Sequence, residues 1–316
     1  MTDTTDDATS LARATLKDIP ALAHLNPDTT SINRLGGMTN LVFRVAADDD
    51  VWCLRLPGKG TEEYINRADE AQAAREAARA GVSPLVIHAD AETGIMVSKF
   101  VDGAETMNPQ LFKSRTGSPA RAGEAFKALH SSDAVFNFRF ELFSMIDDYL
   151  GILSGKTVDL PAGYHDAVAK AGDVRAALDA HPLPSTACHC DPLCENFLDT
   201  GERMWIVDWE YSGMNDPLWD LGDLSVEAGF DDAQDDEMLL AYFGRSPNPD
   251  ERGRVIIYKA MCDLLWTLWG LIQHANGNPA EDFWAYSVER FERCKALMAK
   301  TEFSDHVKAV AAGPVT

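Results

Sequence analysis

The feature that most constrains this 316-residue chain is a short segment of strand and turn signals, residues 187–213, enclosed by helical sequence. In it, two apolar runs flank the turn DTGE, a pattern typical of a β-hairpin. His189, Asp191 and Asn196 precede the turn with the spacing H-x-D-x-x-x-x-N, and Asp208 follows Asn196 by twelve residues. A loop running into a hairpin can bring these four polar side chains together.

That spacing is typical of loops that catalyse phosphoryl transfer. One carboxylate must meet the acceptor hydroxyl, so we assign Asp191, with His189, to the catalytic set. An amide and a second carboxylate suit Mg²⁺, so Asn196 and Asp208 are the candidate metal ligands.

A zinc site is the alternative reading of the same segment, because Cys188, His189, Cys190 and Cys194 are all potential ligands. Structural zinc usually takes cysteine pairs from two separated places, and no second cluster follows here. The spacing therefore favours thiols that pack behind the loop.

The N-terminal third contains strands and one helix. SINRLGGMTNLVFRV and VWCLRLP predict a hairpin, and NRADEAQAAREAARA before Gly81 predicts a helix over residues 66–80. The glycine loop could bring backbone amides close to phosphates, although GGMTN taken alone is more often an ordinary turn. Its candidate nucleotide-binding residues are Gly36, Gly37, Met38, Thr39 and Asn40.

Arg55 lies on the second strand of that hairpin, from which a cation could reach the α and β phosphates. Glu70, on the following helix, could pair with it as the lysine and glutamate of protein kinases do. A solvated surface arginine is the alternative when this position is considered alone.

These residues resemble the choline/ethanolamine kinases, which belong with the aminoglycoside phosphotransferases among the protein-kinase-like folds. The likeness rests on GGMTNLVFR, CLRLPGKGTEEYINR, HCDPLCENFL with IVDWEYSG, and LLWTLWGLIQ. It implies Asp191 as the base, Asn196 and Asp208 as Mg²⁺ ligands, and a hinge at residues 98–101, including Ser98 and Phe100, whose backbone holds adenine. The implied co-substrate is ATP and the implied metal Mg²⁺.

The fold class we predict is α+β, with two lobes. We expect a disordered acidic tail over residues 1–14, a β-rich nucleotide-binding lobe over 15–101, and a mostly helical lobe over 102–316 that carries the catalytic loop and the acceptor pocket.

Aromatic residues give the hypothesis for the acceptor. Trp266 and Trp269 share one helix face, and the resemblance places them with Tyr211 and Tyr286 around a quaternary ammonium. Core packing is the alternative for such a stripe. Glu227 matches a family acid that would add charge complementarity, whereas Asp220 in the same run is expected to be structural.

The net charge narrows the range of partners. With 28 Lys and Arg against 50 Asp and Glu, the chain carries −22, which disfavours nucleic acid and anionic membranes. We find no run near the roughly 18 apolar residues of a membrane helix and no signal peptide, so we expect no membrane insertion and a cytoplasmic location with reduced cysteines. The oligomeric state is not predicted.

The most direct reading is an ATP-dependent kinase of a small cationic amino alcohol, with choline first. Ethanolamine, thiamine or an aminoglycoside are alternative acceptors, and a catalytically silent module that binds a nucleotide or a cation is the alternative outside enzymes. The acidic composition suits all of these acceptors, whereas the paired tryptophans favour a methylated ammonium.

Overall fold

A computed structural model describes residues 3–35, 40–58 and 65–314. Its N-terminal part is an antiparallel sheet of five strands in the order β1-β2-β3-β5-β4. The strands are β1 Ser31–Arg34, β2 Leu41–Ala47, β3 Asp50–Leu56, β4 Val86–Ala89 and β5 Met96–Lys99. The predicted hairpin is β2–β3, in which Val42 pairs with Arg55.

One face of this sheet is covered by the N-terminal helix α1, Asp3–Asp18. Alternate residues of β2 and β3, among them Phe43 and Leu54, are buried in a cluster with Ala12 and Leu16 of α1. The expected disordered tail is therefore wrong for the described part of residues 1–14. The small apolar residues that follow the acidic tip give α1 a face that packs on the sheet.

Helix α2, Arg67–Arg79, occupies the segment predicted to be helical. The Asn66 side chain caps it by accepting hydrogen bonds from the backbone N–H groups of Ala68 and Asp69. Gly81, at φ +79°, follows the helix end, where a side chain would be strained. The capping asparagine and the glycine stop fix where α2 begins and ends.

The C-terminal part is mostly helical, so the α+β, two-lobed prediction is confirmed. Its helices are α3 Pro109–Ser114, α4 Ser118–His130, α5 Leu142–Ser154, α6 Tyr164–Ala180, α7 Leu218–Ala228, α8 Asp232–Phe243, α9 Pro249–Ala275, α10 Phe283–Met298 and α11 Thr301–Ala312. Helix α9 is central and packs against α5, α6, α7, α10 and α11.

From the sequence we expect no run near the apolar length of a membrane helix, and helix α9 corrects that expectation. By length and composition alone, α9 could cross a membrane. Nevertheless, 89% of its most apolar stretch is buried inside the protein. It is the core helix on which the C-terminal lobe is built, and its buried face carries Trp266.

The segment around residues 187–213, where the sequence has strand and turn signals, forms short strands. These are β7 Thr186–Cys188, β8 Phe197–Asp199, β9 Met204–Ile206 and β10 Gly213–Asn215. A hairpin, β8–β9, closes over the DTGE turn as predicted, and β7 pairs with β10. A further strand, β6 Glu105–Thr106, pairs with β8. The loop between β7 and β8 is thereby held at both ends.

Candidate active site

A cleft of about 900 Å³ lies between the sheet and the helical lobe. Most of the side chains singled out in the sequence line it, although they are far apart along the chain. They are Arg55, Glu70, Ser98, Phe100, Asp191, Asn196, Asp208, Tyr211, Trp266, Trp269 and Tyr286.

The loop that carries Asp191 is held by α7. Asp220 accepts hydrogen bonds from the backbone N–H groups of His189 at 2.7 Å and Cys190 at 2.8 Å. Cys190 is in the left-handed region, at φ +68°, and its carbonyl accepts from the Trp219 indole at 3.1 Å. These bonds stabilise an unfavourable backbone conformation that directs Asp191 into the cleft, so the structural role expected for Asp220 fits its contacts.

Asp191 is half-buried at the floor of the cleft. Burial raises the pKa of its carboxyl well above the usual range, and the nearby carboxylates of Asp223, Glu210 and Glu227 raise it further. Asn196 donates from its amide to the Asp191 carbonyl at 3.0 Å. A carboxyl with a raised pKa, beside an open cavity, is suited to accept a proton from a hydroxyl.

His189, predicted to join Asp191 in the catalytic set, does not line the cleft. Its ring is fully buried, lies tilted 4.9 Å from the Trp209 ring, and places Nε2 2.9 Å from the Val207 carbonyl. Burial lowers its pKa and keeps it neutral. His189 therefore ties the catalytic loop to the residue before Asp208.

Asp208 lies where the strand β9 has ended, in the left-handed region at φ +67°. Its carboxylate meets the Arg55 guanidinium at 2.7 Å. The carboxylates of Asp208, Glu70 and Glu210 each place one oxygen within 4.8 Å of the others. Oxygen ligands from carboxylates and from the Asn196 amide are the donors that Mg²⁺ prefers, so the donor set fits that ion.

Glu210 was missed in the sequence, although it follows the predicted ligand Asp208 by two residues and lines the cleft. Burial and the charge of Asp208 raise its pKa to about 7. Its Oε2 atom is buried and has no hydrogen-bond partner within residues 3–35, 40–58 and 65–314. An acidic residue so close to a candidate ligand was the available signal.

The Arg55–Glu70 pair predicted from the sequence is present as an ion pair between β3 and α2. Arg67, the first residue of α2, was missed and contacts the second oxygen of Glu70 at 2.8 Å. Glu70 is therefore held between two guanidinium groups at the edge of the cleft.

The rest of the candidate nucleotide site is divided between described and undescribed residues. Gly36, Gly37, Met38 and Thr39 lie outside the described residues. The side chain of Asn40 is buried, accepts from the Gly58 backbone N–H at 3.3 Å and is not in the cleft lining. Ser98 and Phe100 line the cleft at the predicted hinge.

The four aromatic side chains converge. The Tyr211 and Trp266 rings lie 5.3 Å apart, Trp266 and Trp269 6.3 Å apart, and Trp269 and Tyr286 5.9 Å apart, all edge to face. The Trp269 indole donates to the Tyr211 hydroxyl at 3.0 Å. We call these four residues the aromatic wall; such faces attract a methylated cation through their quadrupoles.

Glu227 lies behind the aromatic wall and not in the cleft lining. The Arg290 guanidinium binds it in a bidentate ion pair, with one contact of 2.9 Å, and Arg293 lies 3.5 Å away. Burial raises the pKa of Glu227, but Arg290 more than compensates and keeps the residue ionised. The structure thus pairs the Glu227 carboxylate with Arg290 and does not bring it into the cleft with the other predicted substrate-binding residues.

The zinc alternative is not supported among residues 3–35, 40–58 and 65–314. No three of Cys188, His189, Cys190 and Cys194 bring ligand atoms together there. Burial raises the pKa of all three thiols, which are therefore protonated packing groups.

The family comparison covers most of the chain. A model described as "APH: Phosphotransferase enzyme family" matches residues 31–255. That span contains the sheet, the catalytic loop, Asp208 and the beginning of α9.

Three solved structures are similar over nearly their whole lengths. A choline/ethanolamine kinase family protein from Mesorhizobium loti is 67% identical, with a TM-score of 0.89, and the match covers 97% of this chain and 100% of that one. The choline kinase LicA from Streptococcus pneumoniae is 26% identical, with a TM-score of 0.76 and coverage of 92% and 98%. A LicA solved in complex with AMP is 28% identical, with a TM-score of 0.69 and coverage of 85% and 91%.

Proposed function

The chain belongs to the choline/ethanolamine kinase family of phosphotransferases, and from that premise we propose that it transfers the γ-phosphoryl group of ATP to the hydroxyl of choline. The transfer of phosphate to an alcohol follows from the family. The choice of choline, and the role of each residue, are the proposal. The observation that carries it is the aromatic wall in the same cleft as Asp191.

On the nucleotide side, adenine would lie against the hinge at Ser98 and Phe100, which line the cleft. Arg55 would turn toward the phosphates, where its charge offsets theirs. The complex of LicA with AMP supports a nucleotide as one of the ligands.

Asp208 and Asn196 would hold Mg²⁺, and Glu210 is placed to join them. Bound there, the ion supplies positive charge that neutralises the phosphate oxygens. For Asp208 to act in this way it must give up its 2.7 Å contact with Arg55, so the two sides of that ion pair are redistributed when the nucleotide binds.

On the acceptor side, the hydroxyl of choline would lie beside Asp191. Asp191 accepts or orients the hydroxyl proton while the oxygen attacks the γ-phosphorus in line with the leaving oxygen. Burial, and after it the nearby carboxylates, raise the pKa of Asp191 and so increase its proton affinity. Most of the acceleration comes from holding the two substrates in line.

The pairing of Glu227 favours choline over ethanolamine. A primary ammonium needs hydrogen-bond acceptors for its three N–H groups, and Arg290 already occupies this carboxylate. A trimethylammonium group donates no such bonds and gains relatively more from the ring faces of Trp269 and Tyr286.

The test is a screen of ADP release at one concentration of Mg²⁺ and ATP. Choline, ethanolamine, the two N-methylated intermediates, thiamine and an aminoglycoside are each supplied as acceptor. We expect kcat/KM to rise with each methyl group, with choline highest. A maximum at ethanolamine, thiamine or the aminoglycoside would replace choline as the acceptor, and no ADP release with any of them would favour the silent binding module.

A further inference from the structure

Arg67 is a buried arginine at the nucleotide edge of the cleft, and it is separate from the Arg55 that the sequence singled out. Its guanidinium lies 2.8 Å from one oxygen of Glu70 and 3.7 Å from Glu210, and only 8% of its side chain is exposed. A guanidinium in so little water is retained where it balances buried carboxylates.

Glu70 is shared by the two arginines. One oxygen pairs with Arg55 and the other with Arg67, and just 1% of the Glu70 side chain is exposed. If Arg67 were absent, Arg55 would be the one cation left paired with this buried carboxylate among the described residues.

Glu210 lies between the same two arginines. Its Oε2 atom is 3.9 Å from Arg55 and 3.7 Å from Arg67, and makes no hydrogen bond with any described residue. It is therefore placed to move closer to either guanidinium.

The stem of Arg67 is held in place by the turn between β4 and β5. A Cβ atom added to Gly94 would lie 2.7 Å from Cδ and 2.9 Å from Nε of Arg67. The absence of a side chain at Gly94 thus leaves room for the path by which Arg67 reaches Glu70.

From these contacts we propose that Arg67 is a positioning residue for the nucleotide, which balances Glu70 and Glu210 so that Arg55 can leave Asp208 and meet the phosphates. Two cations and three carboxylates meet here, and losing Arg67 would leave Arg55 facing all three. Arg55 would then be held more tightly by protein carboxylates. The inference rests on the proposed function, because it concerns the ATP side of the same cleft.

Removing the charge is the first test. In Arg67→Met we expect the Kd for ATP with Mg²⁺, measured by calorimetry without acceptor, and the KM for ATP to rise about ten-fold. The KM for choline should change less than about two-fold, since the aromatic wall is untouched. Arg67→Lys, which restores a cation, should recover part of the ATP affinity.

Arg75→Met is the matched control, because Arg75 lies on the same helix and donates to the Ala89 carbonyl at 2.8 Å without entering the cleft lining. It should leave both constants unchanged. Unaltered ATP affinity in folded Arg67→Met would overturn the proposal. So would an equal loss of ATP and choline affinity that follows the melting temperature and is not rescued by lysine.

Displacing Arg67 without removing its charge is the second test, and it remains usable if Arg67→Met does not fold. Gly94→Ala pushes on the arginine stem, whereas Gly81→Ala has open space around the new methyl group; both positions have a positive φ and bear similar backbone strain. We expect weaker ATP binding in Gly94→Ala alone. Equal ATP affinity in the two alanine variants would contradict the proposal.

Calorimetry separates this inference from the proposed function. If choline is not phosphorylated but ATP binds more weakly to Arg67→Met, the acceptor assignment fails and the role of Arg67 stands. If choline is phosphorylated and ATP affinity does not depend on Arg67, the proposed function stands and the role of Arg67 is rejected.

Discussion

The two walls of the cleft use opposite chemistry. The charged wall, formed by Arg55, Arg67, Glu70, Asp208 and Glu210, contains guanidinium and carboxylate groups in contact with each other. The aromatic wall, formed by Tyr211, Trp266, Trp269 and Tyr286, contains rings packed edge to face on α9, α10 and the segment after Asp208.

Because of this difference, the two walls can bind their ligands in different ways. The ion pairs of the charged wall can exchange partners, so Arg55 can leave Asp208 for a phosphate. The aromatic wall is pre-organised by packing and by the Trp269–Tyr211 hydrogen bond, so little order is lost when a cation binds. The substitutions below alter first Asp191, which lies between the two walls, and then one residue of each wall.

Asp191→Asn is the largest expected effect, because it removes the proton acceptor on which both substrates converge. We expect kcat to fall about 10²- to 10⁴-fold while ATP binding is kept. The measurement is ADP release alongside calorimetry with ATP and Mg²⁺. Turnover close to that of the wild type would exclude Asp191 from this role.

Asp208→Asn perturbs the charged wall alone. Asparagine tolerates the positive φ at this position but supplies no charge, so the Mg²⁺ concentration for half-maximal activity should rise by about 100-fold or more. A titration of activity with Mg²⁺ checks this, with choline KM as the internal control. An unchanged metal requirement would count against Asp208 as a ligand.

Trp269→Ala perturbs the aromatic wall alone. If the ring contributes about 0.5 to 2 kcal/mol, choline KM should rise roughly 2- to 30-fold with ATP KM nearly constant. Trp284→Ala is the matched control, since Trp284 lies on α10 with 38% of its surface exposed and outside the cleft lining.

The melting temperature of each tryptophan variant separates binding from packing. A fall in stability, with both KM values rising together in Trp269→Ala, would make that residue a core residue. An equal choline KM effect in Trp284→Ala would show that the loss is not specific to the aromatic wall.

The smallest expected effect is on stability. Burial and neighbouring carboxylates raise the native pKa of Asp191, so the wild type loses stability as pH rises from the unfolded value, about 3.9, to that native pKa. Asp191→Asn has no charge to bury and should melt higher at pH 8. The difference in melting temperature should shrink as pH falls through this window. A constant difference would contradict the raised pKa.

The features of the fold and of the candidate site that could be predicted from the sequence are those that depend on local spacing. The H-x-D-x-x-x-x-N motif, the hairpin around DTGE, the helix between Asn66 and Gly81 and the tryptophan pair on one helix face all concern residues close in sequence. For such residues, backbone geometry fixes the relation between side chains before any packing occurs. The family resemblance rests on the same local motifs.

Which charged side chains pair with each other could be seen only in the tertiary structure. Arg290 takes Glu227 from 63 residues away, and Arg55 meets Asp208 across 153 residues. Burial likewise keeps the His189 ring neutral. Packing on the sheet orders α1, although its first residues are acidic and resemble a disordered tail. The sequence shows which side chains are charged. Their partners depend on long-range contacts and on the exclusion of water, and local spacing determines neither.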